Sequence, residues 1–335
     1  MNLGVFLAIG ESLDDFKLKG QLKRLLNYNV KKYSQNFDKV YIFSYADEDY
    51  KIFENCVLIP NKFKIHRYLY ALILPFLHRE LIKKINIFRG LQITGGIPSF
   101  VSKVFYQKPY VINFGYDYAS FARIEGKLIQ SLLYRLIQGP VLKFADAVIV
   151  TSQDIKKVLL KNIKSPKIYL IPNGVDTNLF KPHKNLPNKI LTLLYMGRLE
   201  KQKNLESLVY ATSGIEKVRL IFYGEGSQKS HLQKLAKTKN VDLHVKNPID
   251  YFQVPKVISR ADIFILPSIK EGNPKILLEA MSCAKPVIGT NVSGIKELIK
   301  DSENGVLSES DPDSLAKAIN FLSDSKIRDK IAQPA

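Results

Sequence analysis

Two glutamates eight residues apart, Glu271 and Glu279, bracket the turn Gly272-Asn273-Pro274-Lys275, directly after the apolar run Ile263–Pro267. The pattern reads as strand, tight turn, helix. Pro274 suits the first helical turn because its missing N–H would have no partner there, and Gly272 permits a turn with unusual dihedrals. A helix starting at this point offers backbone N–H groups and a partial positive charge, which suits a phosphate or sugar hydroxyls. Ligands of parallel α/β sheets collect at the carboxyl ends of strands, so Glu271 stands where chemistry is expected. The alternative is a helix-capping acid followed by an exposed helical Glu.

A second constellation, Gly197-Arg198-Leu199-Glu200-Lys201-Gln202-Lys203-Asn204, follows the apolar run Leu191–Met196. The planar Arg198 fork and the mobile Lys203 charge can clamp a diphosphate ahead of a helix from about Asn204. A solvated basic loop would have the same composition. Tyr223-Gly224-Glu225-Gly226 ends another strand; without a third glycine it reads as a tight turn lining a cleft rather than a dinucleotide fingerprint. Cys56 and Cys283 lie far apart, with no Cys or His at metal spacing. They read as buried, reduced thiols, which fits a cytoplasmic location and argues against both a disulfide framework and a metal site. His183, His231 and His244 are isolated and read as surface or structural.

The elements that must hold these residues alternate regularly. Strands are expected at Leu3–Ile9, Lys39–Ser44, Tyr110–Phe114 and Ala147–Val150. A second series follows at Leu191–Met196, Val218–Tyr223, Asp242–Val245, Ile263–Pro267 and Pro286–Gly289, with helices between, the first over Gln21–Ser34. Continuous apolar strands separated by helices imply parallel sheets covered on both faces. With 335 residues, 46% hydrophobic and 24% charged, the chain has the size and composition of two folded α/β domains rather than one, or of a disordered polymer. Pro172, Asn173-Gly174, Pro182 and Pro187 break helix and strand and mark the boundary. The expected division is 1–172, a linker at 173–188, and 189–335.

In order, these segments resemble the retaining glycosyltransferases of family 4, with the GT-B fold. The resemblance runs from Ile171 to about Leu307 through IPNGVD, GRLEKQKN, YGEG, ADIFILPS, EGNPKILLEAMSCAKPVI, SGIKELI and ENGVL. It implies two Rossmann-like α/β/α domains facing across a cleft: an N-terminal acceptor-binding domain and a C-terminal domain for the nucleotide-sugar donor. It implies that Arg198 and Lys203 bind the donor diphosphate and that Glu271 contacts the donor sugar, while Glu279 accepts from the ribose hydroxyls. Gly197, Gly224, Gly272, Asn273, Pro274, Lys275 and Gly294 would line the donor site, with Glu297 in support. No metal and no cofactor are implied beyond a UDP- or GDP-linked sugar as co-substrate. The catalytic demand then falls on cations that stabilise developing phosphate charge.

The N-terminal half carries the resemblance only at Gly20-Gln21, Thr94-Gly95-Gly96 and Phe114-Gly115-Tyr116-Asp117. Phe114 stands where many relatives have a histidine facing the donor sugar. Gly20, Asn113, Gly115 and Asp117 are the candidates there for acceptor or cleft contacts. Ala284 replaces a usual glycine, and Lys296 a common proline. The family's terminal helix, which crosses back to the first domain, is expected beyond the helical stretch Ser323–Ile331; the sequence ends at Ala335.

The formal charge of +19 is uneven, with 25 Lys and Arg against 13 Asp and Glu in residues 1–165 and 25 against 18 in 166–335. Such an excess favours an anionic partner or reflects a Lys-rich proteome. No RNP-like or helix-turn-helix pattern accompanies it, which argues against nucleic acid. The apolar N-terminus is too short and too soon acidic for a secretory signal, and Leu69–Leu77 is too short to cross a bilayer. The stretch His66–Gly90, apolar with basic flanks, could lie on an anionic membrane or form an interior helix pair. A glycan or polyprenyl-linked acceptor, cell-envelope glycan synthesis and a peripheral position on the inner face of the membrane follow from the family. The rival readings are a GT-B phosphorylase, a nucleotide-sugar epimerase, and a catalytically silent GT-B subunit that binds a membrane or a partner transferase.

Overall fold

The computed structural model describes residues 1–63, 65–115, 117–162, 167–183 and 189–332. Tyr116, Pro187, residues 184–188 of the expected linker, and Ala335 lie outside the described residues. The chain divides into two compact units, Met1–Ile171 and Pro172–Ala335.

The first unit is a seven-stranded parallel sheet of β1 (Asn2–Phe6), β2 (Lys39–Phe43), β3 (Cys56–Ile59), β4 (Ile87–Gly90), β5 (Tyr110–Phe114), β6 (Ala147–Val150) and β7 (Lys167–Leu170), in the order β3-β2-β1-β4-β5-β6-β7. Its strands pair in parallel throughout. β5 and β6 form at the residues expected, whereas Leu3–Ile9 shortens to Asn2–Phe6. The expected helix over Gln21–Ser34 forms over residues 22–36, with a wide π turn at Leu25–Val30.

The stretch His66–Gly90 is not one surface element. It splits into the helices Arg67–Leu77 and Arg79–Lys84 and the central strand β4. Tyr70, Ala71, Leu74, Ile82 and Phe88 are wholly buried. Arg89 obscured the strand in the sequence: its guanidinium turns to Asn113 and lies over the Tyr33 ring while Phe88, next to it, enters the core. Phe88 stacks on Phe6 with centroids 4.8 Å apart. The pair Gly95-Gly96 lets the helix Gln92–Tyr106 settle on the sheet, since a Cβ on Gly95 would lie 2.7 Å from the Phe6 carbonyl oxygen.

The second unit is a six-stranded parallel sheet of β8 (Leu191–Met196), β9 (Val218–Tyr223), β10 (Asp242–Lys246), β11 (Ile263–Leu266), β12 (Val287–Thr290) and β13 (Val306–Ser308). The order is β10-β9-β8-β11-β12-β13. β8, the first strand in sequence, pairs with β9 on one side and β11 on the other. Chain direction across the sheet therefore reverses between β8 and β11. In a doubly wound sheet this switch point opens a crevice at the carboxyl ends of the strands. Four strands, β3, β4, β7 and β13, escape the sequence pattern; runs of only three or four residues carry little periodicity.

The segment after Ile171 is held to the second unit. The Asn173 amide nitrogen donates to the Asn273 carbonyl at 2.6 Å, and its backbone N–H donates to Asn273 Oδ1 at 3.1 Å. Phe180 is wholly buried, 5.4 Å from the Tyr251 ring. Both cysteines are free and buried. Burial pushes the Cys283 thiol up to about 12 and raises that of Cys56, so neither forms a ready thiolate.

Ala284 explains the usual glycine at its position. The helix Lys275–Ser282 ends at Cys283, and Ala284 takes φ +51°, a left-handed conformation that costs an L-residue roughly 1–2 kcal/mol. Ala284→Gly is expected to stabilise the protein by about 0.5–1 kcal/mol, after the added entropy of the unfolded chain is offset. Chemical denaturation of the two proteins side by side measures it; an unchanged or lower midpoint contradicts the assignment of strain.

Candidate active site

The loops leaving β8 and β11, on either side of the switch point, carry the two constellations singled out by type and spacing. Lys203 lies in a single 3-10 turn, Lys201–Lys203, followed by Asn204 at φ +54°, which redirects the chain into the helix Leu205–Thr212. Its Nζ is 2.5 Å from Glu271 Oε1, and both side chains are largely buried, at 14% and 11% exposed. The Ser268 hydroxyl donates to the same oxygen at 2.7 Å.

Backbone bonds fix the two loops to each other. The Ile269 N–H donates to the Gln202 carbonyl at 2.9 Å, and Gln202 is wholly buried beneath the turn. The Thr290 hydroxyl at the end of β12 donates to the Ser268 carbonyl at 2.5 Å. Glu271 is thus held from β8, β11 and β12 together. Its carboxylate faces Lys203 and Ser268, while the helix Lys275–Ser282 starts from Pro274 without a side-chain cap. The reading of Glu271 as a capping acid does not hold. Nor is Glu279 an exposed helical residue: it is 4% exposed. A buried carboxylate is uncommon enough to call for a purpose beyond solubility.

Gly272 corrects an expectation. It is not among the residues with positive φ. Gly294, in the short helix Ser293–Lys296, packs against the same backbone: a Cβ there would lie 2.2 Å from the Gly272 carbonyl oxygen and 2.6 Å from that of Glu271. Gly294 therefore sets the height of the Glu271 loop. Asn273 is buried and engaged by Asn173, and Lys275 places its ammonium 5.4 Å from the Tyr251 ring centroid.

Arg198 is exposed just past β8. The Tyr195 hydroxyl donates to its carbonyl at 2.7 Å. Burial first, and then the charge of Glu271, hold that phenol well above its ordinary range, so Tyr195 stays a neutral donor. Gly197 and Gly224 allow the loops after β8 and β9 to touch backbone to backbone: a Cβ on Gly224 would fall 1.8 Å from the Gly197 carbonyl oxygen. The Leu199 N–H closes the contact on the Glu225 carbonyl at 2.9 Å. The YGEG turn thus braces the Arg198 loop, a job that spacing alone did not reveal.

The N-terminal candidates do not gather in this way. Gly20 takes φ +67° just after the helix Leu13–Leu18. Asn113 Oδ1 accepts from Arg89 Nε at 3.1 Å, and Asp117 caps the helix Tyr118–Ile124 through the Ser120 N–H at 3.3 Å. A Cβ on Gly115 would meet the Thr151 hydroxyl at 3.3 Å. Phe114, in the place of the family's histidine, is 4% exposed and belongs to the sheet core. Sequence reasoning missed Ser268, Gln202, Tyr195 and Thr290. Gln202 and Ser268 lie within the quoted motifs GRLEKQKN and ADIFILPS, but no role was read for them, and Tyr195 and Thr290 lie outside the motifs. Among the described residues, no three of His, Cys, Asp and Glu gather as a metal-ligand set.

Two doubly wound parallel sheets, one of them with an ion pair and a buried carboxylate near its switch point, define the architecture of the GT-B fold. The family description "Glycosyl transferases group 1" matches residues 176–335, and "Glycosyltransferase Family 4" matches 32–179. The chain belongs to this glycosyltransferase family. It is 30% identical over 236 residues to an Escherichia coli protein named UDP-Gal:alpha-D-GlcNAc-diphosphoundecaprenol alpha-1,3-galactosyltransferase, covering 64% of this chain and 59% of that protein. It is 28% identical over 193 residues to one component of the phosphatidylinositol N-acetylglucosaminyltransferase of Arabidopsis thaliana, covering 55% of this chain and 43% of that one. An uncharacterized glycosyltransferase of Methanocaldococcus jannaschii is 26% identical, with 85% and 80% covered. The chain thus spans about half the length of two of these three relatives. Among solved structures, sucrose-phosphate synthase from Thermosynechococcus elongatus superposes with a TM-score of 0.85 at 19% identity, over 100% of this chain and 92% of that one. Anabaena HepE, in complex with UDP and glucose, gives 0.77 at 17% identity, over 99% and 92%.

Proposed function

We propose that the chain transfers a hexosyl-type sugar, with retention of anomeric configuration and without a metal, from a UDP- or GDP-linked donor to a glycan or polyprenyl-linked acceptor. The observation that carries this is the Lys203–Glu271 pair, 2.5 Å apart between the loops that follow β8 and β11. Lys203 and Arg198 bind the donor diphosphate, with the backbone of Asn273, Pro274 and Lys275 holding sugar hydroxyls and phosphate. Glu271 contacts the sugar and Glu279 the ribose hydroxyls. The bond from the anomeric carbon to phosphate oxygen breaks, the acceptor oxygen bonds to that carbon on the same face, and the acceptor proton passes to the leaving diphosphate. The two cations stabilise the charge gathering on that diphosphate, the kind of preorganised electrostatics worth on the order of 10²–10³ in rate per donor removed.

The names of the E. coli and Anabaena proteins favour a UDP-linked hexose as the first donor to try. The E. coli name also favours an acceptor on a diphosphate-linked polyprenol, which suits assembly of envelope glycan at the inner face of a membrane. The test is a panel of UDP-, GDP- and ADP-sugars, read by nucleotide release and by thermal shift. At least one donor is expected to raise the melting temperature and to be hydrolysed or transferred, and Glu271→Ala is expected to lower that turnover by on the order of 10²-fold. Absence of any shift across the panel contradicts the enzyme reading; a shift without turnover in the presence of lipid-linked acceptors points to a silent subunit.

A further inference from the structure

The helix Leu128–Lys143 turns its apolar side outward. Its buried residues are Ser131, Val141 and Leu142, and Ser131 is spent on a hydrogen bond to the Ala119 carbonyl at 2.7 Å. Leu128, Ile129, Leu132, Leu133 and Leu136 are 67%, 79%, 61%, 52% and 64% exposed. At 3.6 residues per turn they share an arc of about 140°. A lone exposed leucine needs no explanation, but five on one face mark a surface built to be covered.

We infer that this face docks on an anionic lipid bilayer. Charge selects the occupant. Residues 126–145 hold Lys127, Arg135 and Lys143 and no acid, and Asp146, just beyond them, is already paired with Lys103 at 2.7 Å. Glu125, just before them, is paired with Lys127 at 2.7 Å. An apolar stripe with a basic border matches the acyl and headgroup layers of an anionic membrane. Two copies of this face pressed together would oppose like charges. Among the described residues no helix is long and apolar enough to cross a membrane, so the contact is interfacial. The surface is separate from the stretch His66–Gly90, whose first helix buries Tyr70, Ala71 and Leu74 and exposes Tyr68, Leu69, Leu72, Phe76 and Leu77. The inference deepens the proposal of a lipid-linked acceptor, yet it is tested without donor or acceptor.

The test is sedimentation of the full chain with vesicles of phosphatidylcholine alone or mixed with phosphatidylglycerol, at low and high salt. The wild-type chain is expected to sediment with the mixed vesicles and to be released by salt. The double variant Leu132→Gln/Leu136→Gln is expected to bind at least about tenfold less, with an unchanged melting temperature because both side chains are exposed. Equal sedimentation of the two proteins overturns the inference, as does failure of the wild-type chain to bind while light scattering reports a dimer that the substitutions dissolve. Donor-induced thermal shift in the same samples separates this outcome from failure of the sugar-transfer reading.

Discussion

Lys203→Ala is expected to lower turnover by 10²-fold or more, on the order of the loss seen when a transition-state donor is removed from a preorganised site. Two physical effects act together. The leaving diphosphate loses a cation, and Glu271, 11% exposed, loses the ion pair that neutralises it and keeps only the Ser268 hydroxyl. An uncompensated, largely buried carboxylate then repels the incoming phosphates and costs stability of about 1–3 kcal/mol. Lys203→Ala/Glu271→Ala is accordingly expected to be less destabilised than the sum of the single variants, because the double change removes the stranded charge. Steady-state kinetics and thermal melts of the four proteins measure both effects. Near-normal turnover in Lys203→Ala would place the diphosphate elsewhere, and strict additivity in the melts would mean that the pair is not coupled.

Gly294→Ala has the second large effect, and it acts through shape rather than charge. The added methyl would sit 2.2 Å from the Gly272 carbonyl oxygen and 2.5 Å from its carbon. Both are backbone atoms, so no side-chain rotation relieves the clash. The Glu271–Gly272 loop must move or the helix Ser293–Lys296 must lift. Overpacking of this kind costs about 1–3 kcal/mol, and a displacement of one ångström at reacting groups can cost about 10²-fold in rate. The expected result is a melting temperature lower by several degrees together with severe loss of turnover. A Gly294→Ala protein with normal donor-induced shift and normal turnover would show that the loop is not held from this side.

The second unit was far more legible than the first. β8, β9 and β11 are mostly apolar runs of four to six residues, and the motifs sit at their ends, so the order of elements could be read directly. In the first unit, β4 carries Arg89 at its centre and β3 and β7 are short, which hid three of seven strands. The basic, apolar stretch His66–Gly90 could be read as a membrane-facing element or as an interior helix pair, because hydropathy cannot tell an outward face from an inward one. In the structure its first helix does both, burying Tyr70, Ala71 and Leu74 and exposing Tyr68, Leu69, Leu72, Phe76 and Leu77, and a second outward apolar face lies in Leu128–Lys143, whose leucines are spaced like those of an ordinary core helix. Asn113, Gly115 and Asp117 were legible as a cluster near the end of β5, yet the structure gives the two side chains local bonds, to Arg89 and to the helix they precede.

By itself the sequence determined the alternation of strands and helices, the two-unit parallel architecture and the family, because these rest on local residue types and on motifs kept in order along one chain. It also named Arg198, Lys203, Glu271 and Glu279. Tertiary structure alone decided that Lys203 and Glu271, 68 positions apart, form one ion pair, that Glu279 is buried, and that Gly224 and Gly294 serve as points of backbone contact. Those facts depend on which strands become neighbours at the switch point. That pairing is settled by packing across the whole sheet, not by anything written within a single segment.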